Sequence, residues 1–260
     1  MRLRYFAGHE IYQEQLSTPI RVAHLSDQHI GRVTPHKVQR EAIDLALKKN
    51  PDIVVLTGDF VCHSELYLDD LSEIIGKINK PCFAVLGNHD HWTNAQAVRK
   101  ALKKSGVEVL DNANTIINIG TDRLQIVGLD DAYTKHADIK KAVFGMKKNI
   151  ATLGLSHIAE QADLLWPHHV PLVLSGHTHA GQITVAGIHE LILKKVVGHR
   201  YIHGFYGHLD QAHPHGAVYV SAGIGAAVMP IRLGEKGKRE VALFDLGATK
   251  DSLDHDFYKK

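Results

Sequence analysis

Apolar residues in this chain arrive in short runs, and each run stops at a polar residue. Residues 53–57 read Ile-Val-Val-Leu-Thr, β-branched and uncharged, as expected of a strand buried on both faces. Residues 21–26, 82–86, 151–156 and 172–175 repeat the pattern. Between the early runs the period changes to that of a helix. Val38, Ala42, Leu45 and Ala46 share one face; Leu71, Ile74, Ile75 and Ile78 share another; Ala95, Val98 and Leu102 a third. Thr34-Pro35 predicts an N-cap followed by a proline at the first helical position, and Asn50-Pro51 ends that helix. Asn94 is placed to cap the third helix and Gly106 to close it. The order β-α-β-α-β-α predicts a parallel or mixed sheet covered by helices.

The second half is richer in strands. Residues 115–119 and 124–128 predict a hairpin around Gly120-Thr121-Asp122, and residues 217–221 and 241–244 predict late strands. Residues 135–148 read as a basic helical connection, and residues 158–166 as a short helix ended by Pro167. The expected organisation is one domain over 21–248, preceded by an irregular arm or short hairpin over 1–20 and followed by a polar tail over 249–260.

Composition adds one anomaly. The chain has 260 residues, 44% hydrophobic and 22% charged, with a net charge of +2. That charge, with no basic stripe interleaved with aromatics, gives no basis for a nucleic-acid partner. Cys62 and Cys82 form no CxxC pair, so a reduced, cytoplasmic setting is expected. No apolar run reaches the roughly 18 residues of a membrane span, and no apolar stretch follows the charged N-terminus as in a signal peptide. Histidine is the outlier, at 20 residues, and its spacing carries the chemistry.

Five times a predicted strand ends and a potential ligand follows: Asp27 and His29, Asp59, Asn88, His157, then His177 and His179. The carboxyl ends of strands in an α/β sheet gather at one edge, where ligands bind. These residues are therefore expected to converge. Oxygen and imidazole donors without thiolate favour Mn²⁺, Fe or Zn²⁺ bound without cysteine. There are more ligands than one ion needs unless a carboxylate bridges two. Taken singly, Asp27 could be a capping residue, Gly58-Asp59 a turn and His157 a satisfied interior imidazole. Gly87-Asn88-His89-Asp90 is the most specific of the set.

In this order the motifs resemble those of the calcineurin-like metallophosphoesterase superfamily: Asp27-x-His29, Gly58-Asp59, Gly87-Asn88-His89-Asp90, His157, Gly176-His177-x-His179. The run from Gly176 to Gln182, with residues 219–225 later, resembles a bacterial branch. That branch contains phosphodiesterases and the UDP-2,3-diacylglucosamine pyrophosphatases of lipid A synthesis. The resemblance implies an α/β (α+β) fold, a four-layer α/β/β/α sandwich with two mixed β-sheets. It also implies two divalent metal ions, Mn²⁺ first, with Fe or Zn²⁺ as alternatives. Asp27, His29, Asp59 and His179 would hold the first ion; Asp59, Asn88, His157 and His177 the second, with Asp59 bridging.

The reaction so implied is attack of a metal-bridging hydroxide on phosphorus. His89 would donate a proton to the leaving oxygen and Asp90 would orient its imidazole. His89 as a further ligand, and Asp90 as a turn cap, are the alternatives. Asp130, Asp131, Gln182 and His203 are candidates for the substrate side, with a loop or surface role as the alternative for each. Residues 185–206 carry Leu191-Ile192-Leu193 beside Lys194-Lys195. They read either as an apolar lip for a lipid chain, with peripheral contact at the inner face of a membrane, or as an ordinary amphipathic connection. The expected activity is that of a phosphodiesterase or pyrophosphatase on a small or lipid-linked nucleotide substrate. A phosphomonoesterase acting on protein or nucleotides, and a catalytically silent metal-binding scaffold, are the competing functions.

Overall fold

The computed structural model describes residues 1–181, 198–210, 215–226, 232, 234 and 237–249. Gln182, most of the expected lip and the tail from residue 250 lie outside the described residues. Two six-stranded sheets stack face to face. The first has the order β1 (Arg2–Ala7), β12 (Glu240–Leu246), β2 (Ile20–Leu25), β3 (Ile53–Thr57), β4 (Cys82–Val85), β5 (Val107–Val109). Only the β12–β2 pair is antiparallel. The second has the order β10 (Gly204–Gly207), β11 (Ala217–Val220), β9 (Leu172–Ser175), β8 (Ala151–Ser156), β7 (Asp122–Leu129), β6 (Ala113–Ile119). It is parallel from β11 to β7 and antiparallel at both edges. Both sheets are mixed.

Strand alternation builds three apolar layers from one set of strands. Ile53 and Val55 of β3, with Phe83 and Val85 of β4, meet Leu153, Leu155, Leu172 and Leu174 between the sheets. Their neighbours Val54, Leu56 and Ala84 face the other way, onto α2 (His36–Leu47), α3 (Leu68–Ile75) and α4 (Asn88–Lys104). On the far side Val127, Leu129, Val173, Val218 and Val220 pack under α5 (Ile139–Ala142) and α6 (Ala162–Leu165). The result is the expected α/β/β/α sandwich.

Four expectations change. Residues 1–20 are neither an irregular arm nor a hairpin. Arg2–Ala7 is an edge strand parallel to β12, and Tyr12 and Leu16, in and just after α1 (Tyr12–Gln15), join the core between the sheets. The Tyr12 hydroxyl donates to the Thr152 carbonyl at 2.7 Å. The alternation of β1 was hidden because its residues are only half-buried. Thr34 does not cap α2: Pro35 takes the N-cap position, and the Thr34 hydroxyl accepts the Ala226 N–H at 2.9 Å. The connection over 135–148 contains a single helical turn, and residues 158–166 form α6 between two 3₁₀ turns, the second of which contains Pro167. Asn94 does cap a helix, its Oδ1 accepting the Ala97 N–H at 3.1 Å. A further helical stretch precedes it, beginning at Asn88 and separated by the extended backbone of Asn94.

Candidate metal centre

All five motif loops leave the carboxyl ends of parallel strands on the same edge: after β2, β3 and β4 in one sheet, after β8 and β9 in the other. The first two loops extend their strands' pairing. Asp27 N–H donates to the Gly58 carbonyl at 3.1 Å, His29 N–H to Asp59 at 2.9 Å and Ile30 N–H to Phe60 at 2.8 Å. The two sheets are joined at this edge by Asp27, whose Oδ1 accepts the His177 N–H at 3.1 Å. To aim their side chains inward, these residues adopt left-handed backbone: φ is 53° at Asp27, 42° at His29, 55° at Asp59, 73° at His177 and 50° at His179. Each such residue costs about 1–3 kcal/mol and persists only where its surroundings hold it. Gly87 allows a close approach, since a Cβ there would overlap the Asp59 carboxylate and crowd the His157 ring.

The side chains meet around Asp59. Ligand atoms of Asp27, His29, Asp59 and His179 all lie within 4.8 Å of one another, and so do those of Asp59, His157 and His177. Asp59 Oδ2 is 3.4 Å from His29 Nε2 and 3.3 Å from His157 Nε2. His179 Nε2 is 2.9 Å from His29 Nε2 and 3.5 Å from Asp27 Oδ1. His177 Nδ1 is 3.3 Å from His157 Nε2. Asn88, almost fully buried, flanks Asp59 through its neighbour His89, whose N–H donates to Asp59 Oδ1 at 3.0 Å.

Electrostatics makes this a cluster in want of positive charge. Burial pushes the Asp27 carboxyl up to about 6; His157 opposes this and Asp59 adds to it. Burial likewise opposes ionisation of Asp59, yet the surrounding imidazoles, His157 foremost, hold it well below the usual carboxylate range. Burial lowers His29 and His177 to about 3 each, and lowers His179 well below its ordinary value. His157 goes the other way: burial would lower it, but Asp59 and Asp27 lift it to about 10. Asn88 Oδ1 is buried with no hydrogen-bond partner. An orphaned amide oxygen, two buried carboxylates and the neutral imidazoles of His29, His177 and His179, with His157 drawn between the carboxylates, fit divalent cations. The Thr57 carbonyl accepts from His157 Nδ1 at 2.8 Å; in the neutral ring this leaves the Nε2 lone pair facing Asp59.

Several expected residues stand elsewhere. Asp90 does not touch His89: its Oδ1 accepts the Phe60 and Val61 N–H groups at 2.8 and 3.3 Å, and its Oδ2 accepts Gly87 N–H at 2.9 Å. It is the capping carboxylate of the alternative reading, and it holds two motif loops together. Asp130 is bound to His91 at 2.7 Å and to Arg99 at 3.2 Å, and Asp131 accepts from Thr134. Both are buried; Asp130 ties its loop to α4, and Asp131 holds the turn that reaches Thr134. His203 Nε2 lies 3.3 Å from Glu240 Oε2, and among the described residues no contact joins it to the ligand atoms grouped around Asp59. His89 is where its motif predicts, with Nε2 4.0 Å from Asp59 Oδ2 and Nδ1 without a partner.

Other residues around the cluster were not foreseen. The Cys62 sulfur lies within 4.8 Å of ligand atoms of His29 and His89, although burial pushes its thiol up. Arg232 Nη2 donates to His179 Nδ1 at 2.9 Å. That assigns the neutral ring's proton to Nε2, so a cation taken through this nitrogen requires Arg232 to turn aside. Rings of His63, Trp92 and Tyr133 line the approach, with Trp92 5.0 Å from His89 and Tyr133 5.7 Å from His177. None carries a sequence signal beyond Trp92's place two residues after Asp90.

Comparison with known proteins agrees with the geometry. The family described as calcineurin-like phosphoesterase matches residues 20–181. An uncharacterized metallophosphoesterase of Aquifex aeolicus is 30% identical over 229 residues, 83% of this chain and 81% of that protein. Phosphodiesterase YaeI of Escherichia coli is 27% identical over 216 residues, 81% of this chain and 77% of that protein. UDP-2,3-diacylglucosamine pyrophosphatase LpxG of Chlamydia trachomatis is 25% identical over 217 residues, 64% of this chain and 65% of that protein. Among solved structures, TT1561 of Thermus thermophilus has the same fold at TM-score 0.54 and 13% identity, over 80% of this chain and 91% of that one. A purple acid phosphatase from yellow lupin (Lupinus luteus) seeds has it at TM-score 0.52 and 12% identity, over 89% of this chain and 55% of that one. Among the described residues no helix is long and apolar enough to cross a membrane.

Proposed function

Because this chain belongs to the calcineurin-like phosphoesterase family and is thereby a metal-dependent hydrolase, we propose that it cleaves phosphodiester or pyrophosphate bonds. The substrate class is a small or lipid-linked nucleotide, such as UDP-2,3-diacylglucosamine. The observation that carries the reading is the sharing of Asp59 by two groups of converging ligands. Asp27, His29, Asp59 and His179 would hold one divalent ion; Asp59, Asn88, His157 and His177 would hold the other. Mn²⁺ suits this oxygen and imidazole set, with Fe and Zn²⁺ as alternatives. When bound, such ions supply a water acidic enough to react near neutral pH and offset the phosphoryl charge. The names of the E. coli and C. trachomatis relatives favour a diester or pyrophosphate over a monoester.

The chain's own residues supply the rest. The Thr57 carbonyl fixes the His157 tautomer, and Asp90 fixes the loop that presents Asn88 and His89. His89 stands at the open side of the cluster, only partly buried. Burial lowers its imidazole below the ordinary histidine value, with Asp59 opposing, so near pH 7 the ring is neutral. It would meet the leaving oxygen through an N–H hydrogen bond, and a neutral ring needs no counter-charge. The test is turnover of bis-p-nitrophenyl and p-nitrophenyl phosphate with several divalent metals, alongside metal analysis. Preference for the diester is expected. Preference for the monoester would make the chain a phosphomonoesterase, and no turnover with any metal would leave a scaffold.

A further inference from the structure

Outside the ligand cluster, the rings of His63, Trp92 and Tyr133 stand beside the site. Trp92 and Tyr133 are 53% and 56% exposed, yet they sit edge to face with centroids 5.8 Å apart at 78°. His63 lies parallel to Trp92, 6.4 Å away and only 8° off plane. Each member of the exposed pair is one ring contact from the cluster: Trp92 through His89 at 5.0 Å, Tyr133 through His177 at 5.7 Å. Half-exposed indole and phenol rings carry a large apolar surface left uncovered in the free chain.

We propose that Trp92 and Tyr133 form a stacking platform for the planar base of a nucleotide whose phosphate lies at the Asp59 cluster. The inference rests on the reading under Proposed function and names the part of the substrate that this wall recognises. A base is favoured over an acyl chain because Trp92 and Tyr133 are planar π surfaces, half exposed and each in ring contact with an imidazole at the cluster. Stacking on such rings tolerates any base, since each has a π face. Uridine and adenosine nucleotides should therefore bind within a few-fold of each other.

The test uses the full chain in two ways. With only two tryptophans in the sequence, Trp166→Phe leaves Trp92 as the sole indole reporter. Uridine 5′-monophosphate should quench it saturably, with a dissociation constant about tenfold below that of glycerol 3-phosphate measured by competition. Tyr133→Leu should raise the nucleotide constant about fivefold while leaving the glycerol phosphate value in place. Equal affinity for the two phosphates, or quenching that never saturates, would overturn the platform. In turnover, the ratio of kcat/KM for p-nitrophenyl thymidine 5′-phosphate over methyl p-nitrophenyl phosphate should fall about tenfold in Trp92→Ala, mostly through KM. A hexadecyl p-nitrophenyl ester preferred as strongly as the nucleotide would assign the wall to a lipid and overturn the inference too. If neither the methyl nor the nucleotide ester turns over with any divalent metal, the hydrolase reading fails, and the fluorescence titration alone decides the platform.

Discussion

Asp59 is the residue on which the two ligand groups depend, because its Oδ2 lies 3.3 Å from His157 and 3.4 Å from His29. Asp59→Asn keeps the shape but removes the charge that draws both ions, so the purified variant should lose metal at both sites. Elemental analysis showing an unchanged metal-to-protein ratio would remove Asp59 from its bridging position. His89 predicts the opposite pattern. It touches Asp59 only through its backbone N–H and a 4.0 Å ring approach, so His89→Ala should keep both metals and lose turnover by roughly 10²–10⁴-fold. The loss should be smallest for p-nitrophenolate, which leaves without a proton, and largest for an alkoxide. At this scale the convergence of these side chains was legible because each follows a strand end, a position the hydrophobic pattern marks directly. Asp90 was misread because adjacency to His89 in sequence says nothing of direction: the helical turn starting at Asn88 carries its carboxylate away, toward Phe60 and Gly87. Tyr133 and Arg232 were illegible because residues in loops have no period to betray them, and Trp92 because it lies on the exposed side of a helical stretch, off the apolar stripe.

The strands and helices decide how well those side chains are held, and the loop after β4 is the case that can be measured. Asp90 is buried and accepts three backbone N–H groups from two loops. Leaving buried donors unpaired costs about 1–3 kcal/mol each, with less than full additivity. Asp90→Ala should therefore destabilise the fold by roughly 3 kcal/mol, read from urea unfolding. Asp90→Asn, which keeps one acceptor oxygen, should lose about half as much. Had Asp90 served to orient His89, Asp90→Asn would instead lower turnover with stability intact, and that outcome would restore the role its sequence neighbours suggest. The buried parallel strands were legible because they are short, mainly apolar runs that stop at a glycine or at a polar residue. The edge strand β1 was not: one face carries Arg2 and Arg4 and its burial is partial, so alternation gives way to a mixed pattern. Its partner β12 is more than two hundred residues away in sequence, beyond any local signal.

Across the whole molecule, the stacking of two sheets is what brings residues 27 and 177 together, and it traps a titratable group on the way. His24 lies on the same face of β2 as Val22, between the sheets, with its ring 6.3 Å from Tyr219 and 6.4 Å from Phe244. Nε2 has the Thr57 hydroxyl at 2.8 Å, while Nδ1 is buried without a partner. Burial lowers this imidazole to about 3, with Glu240 opposing. The unfolded chain takes up the proton near pH 6.5, and the folded chain refuses it until near pH 3. Between those values the unfolded state binds more protons, so stability rises with pH and is lost on acidification from about 6.5 downward. The slope for one such group is about 1.4 kcal/mol per pH unit, or roughly 2–3 kcal/mol by pH 4.5. Glu240, whose carboxyl the neighbouring His203 and Arg4 hold at about 2 against the opposing effect of burial, contributes its own acid loss only below about 4.5. Asp27 and Asp90, which burial raises to about 6 and about 7, act in the opposite direction within the upper window, so the His24 contribution is read as the difference between wild type and variant. In chelator-treated protein, where ligand binding cannot add to the effect, urea midpoints at pH 7 and pH 4.5 give the total. His24→Phe should remove about 2 kcal/mol of that difference, since the ring volume stays and the buried proton site goes. An identical acid loss in wild type and variant would show that the space between the sheets admits a charged imidazole, and that acid sensitivity arises at the metal centre instead.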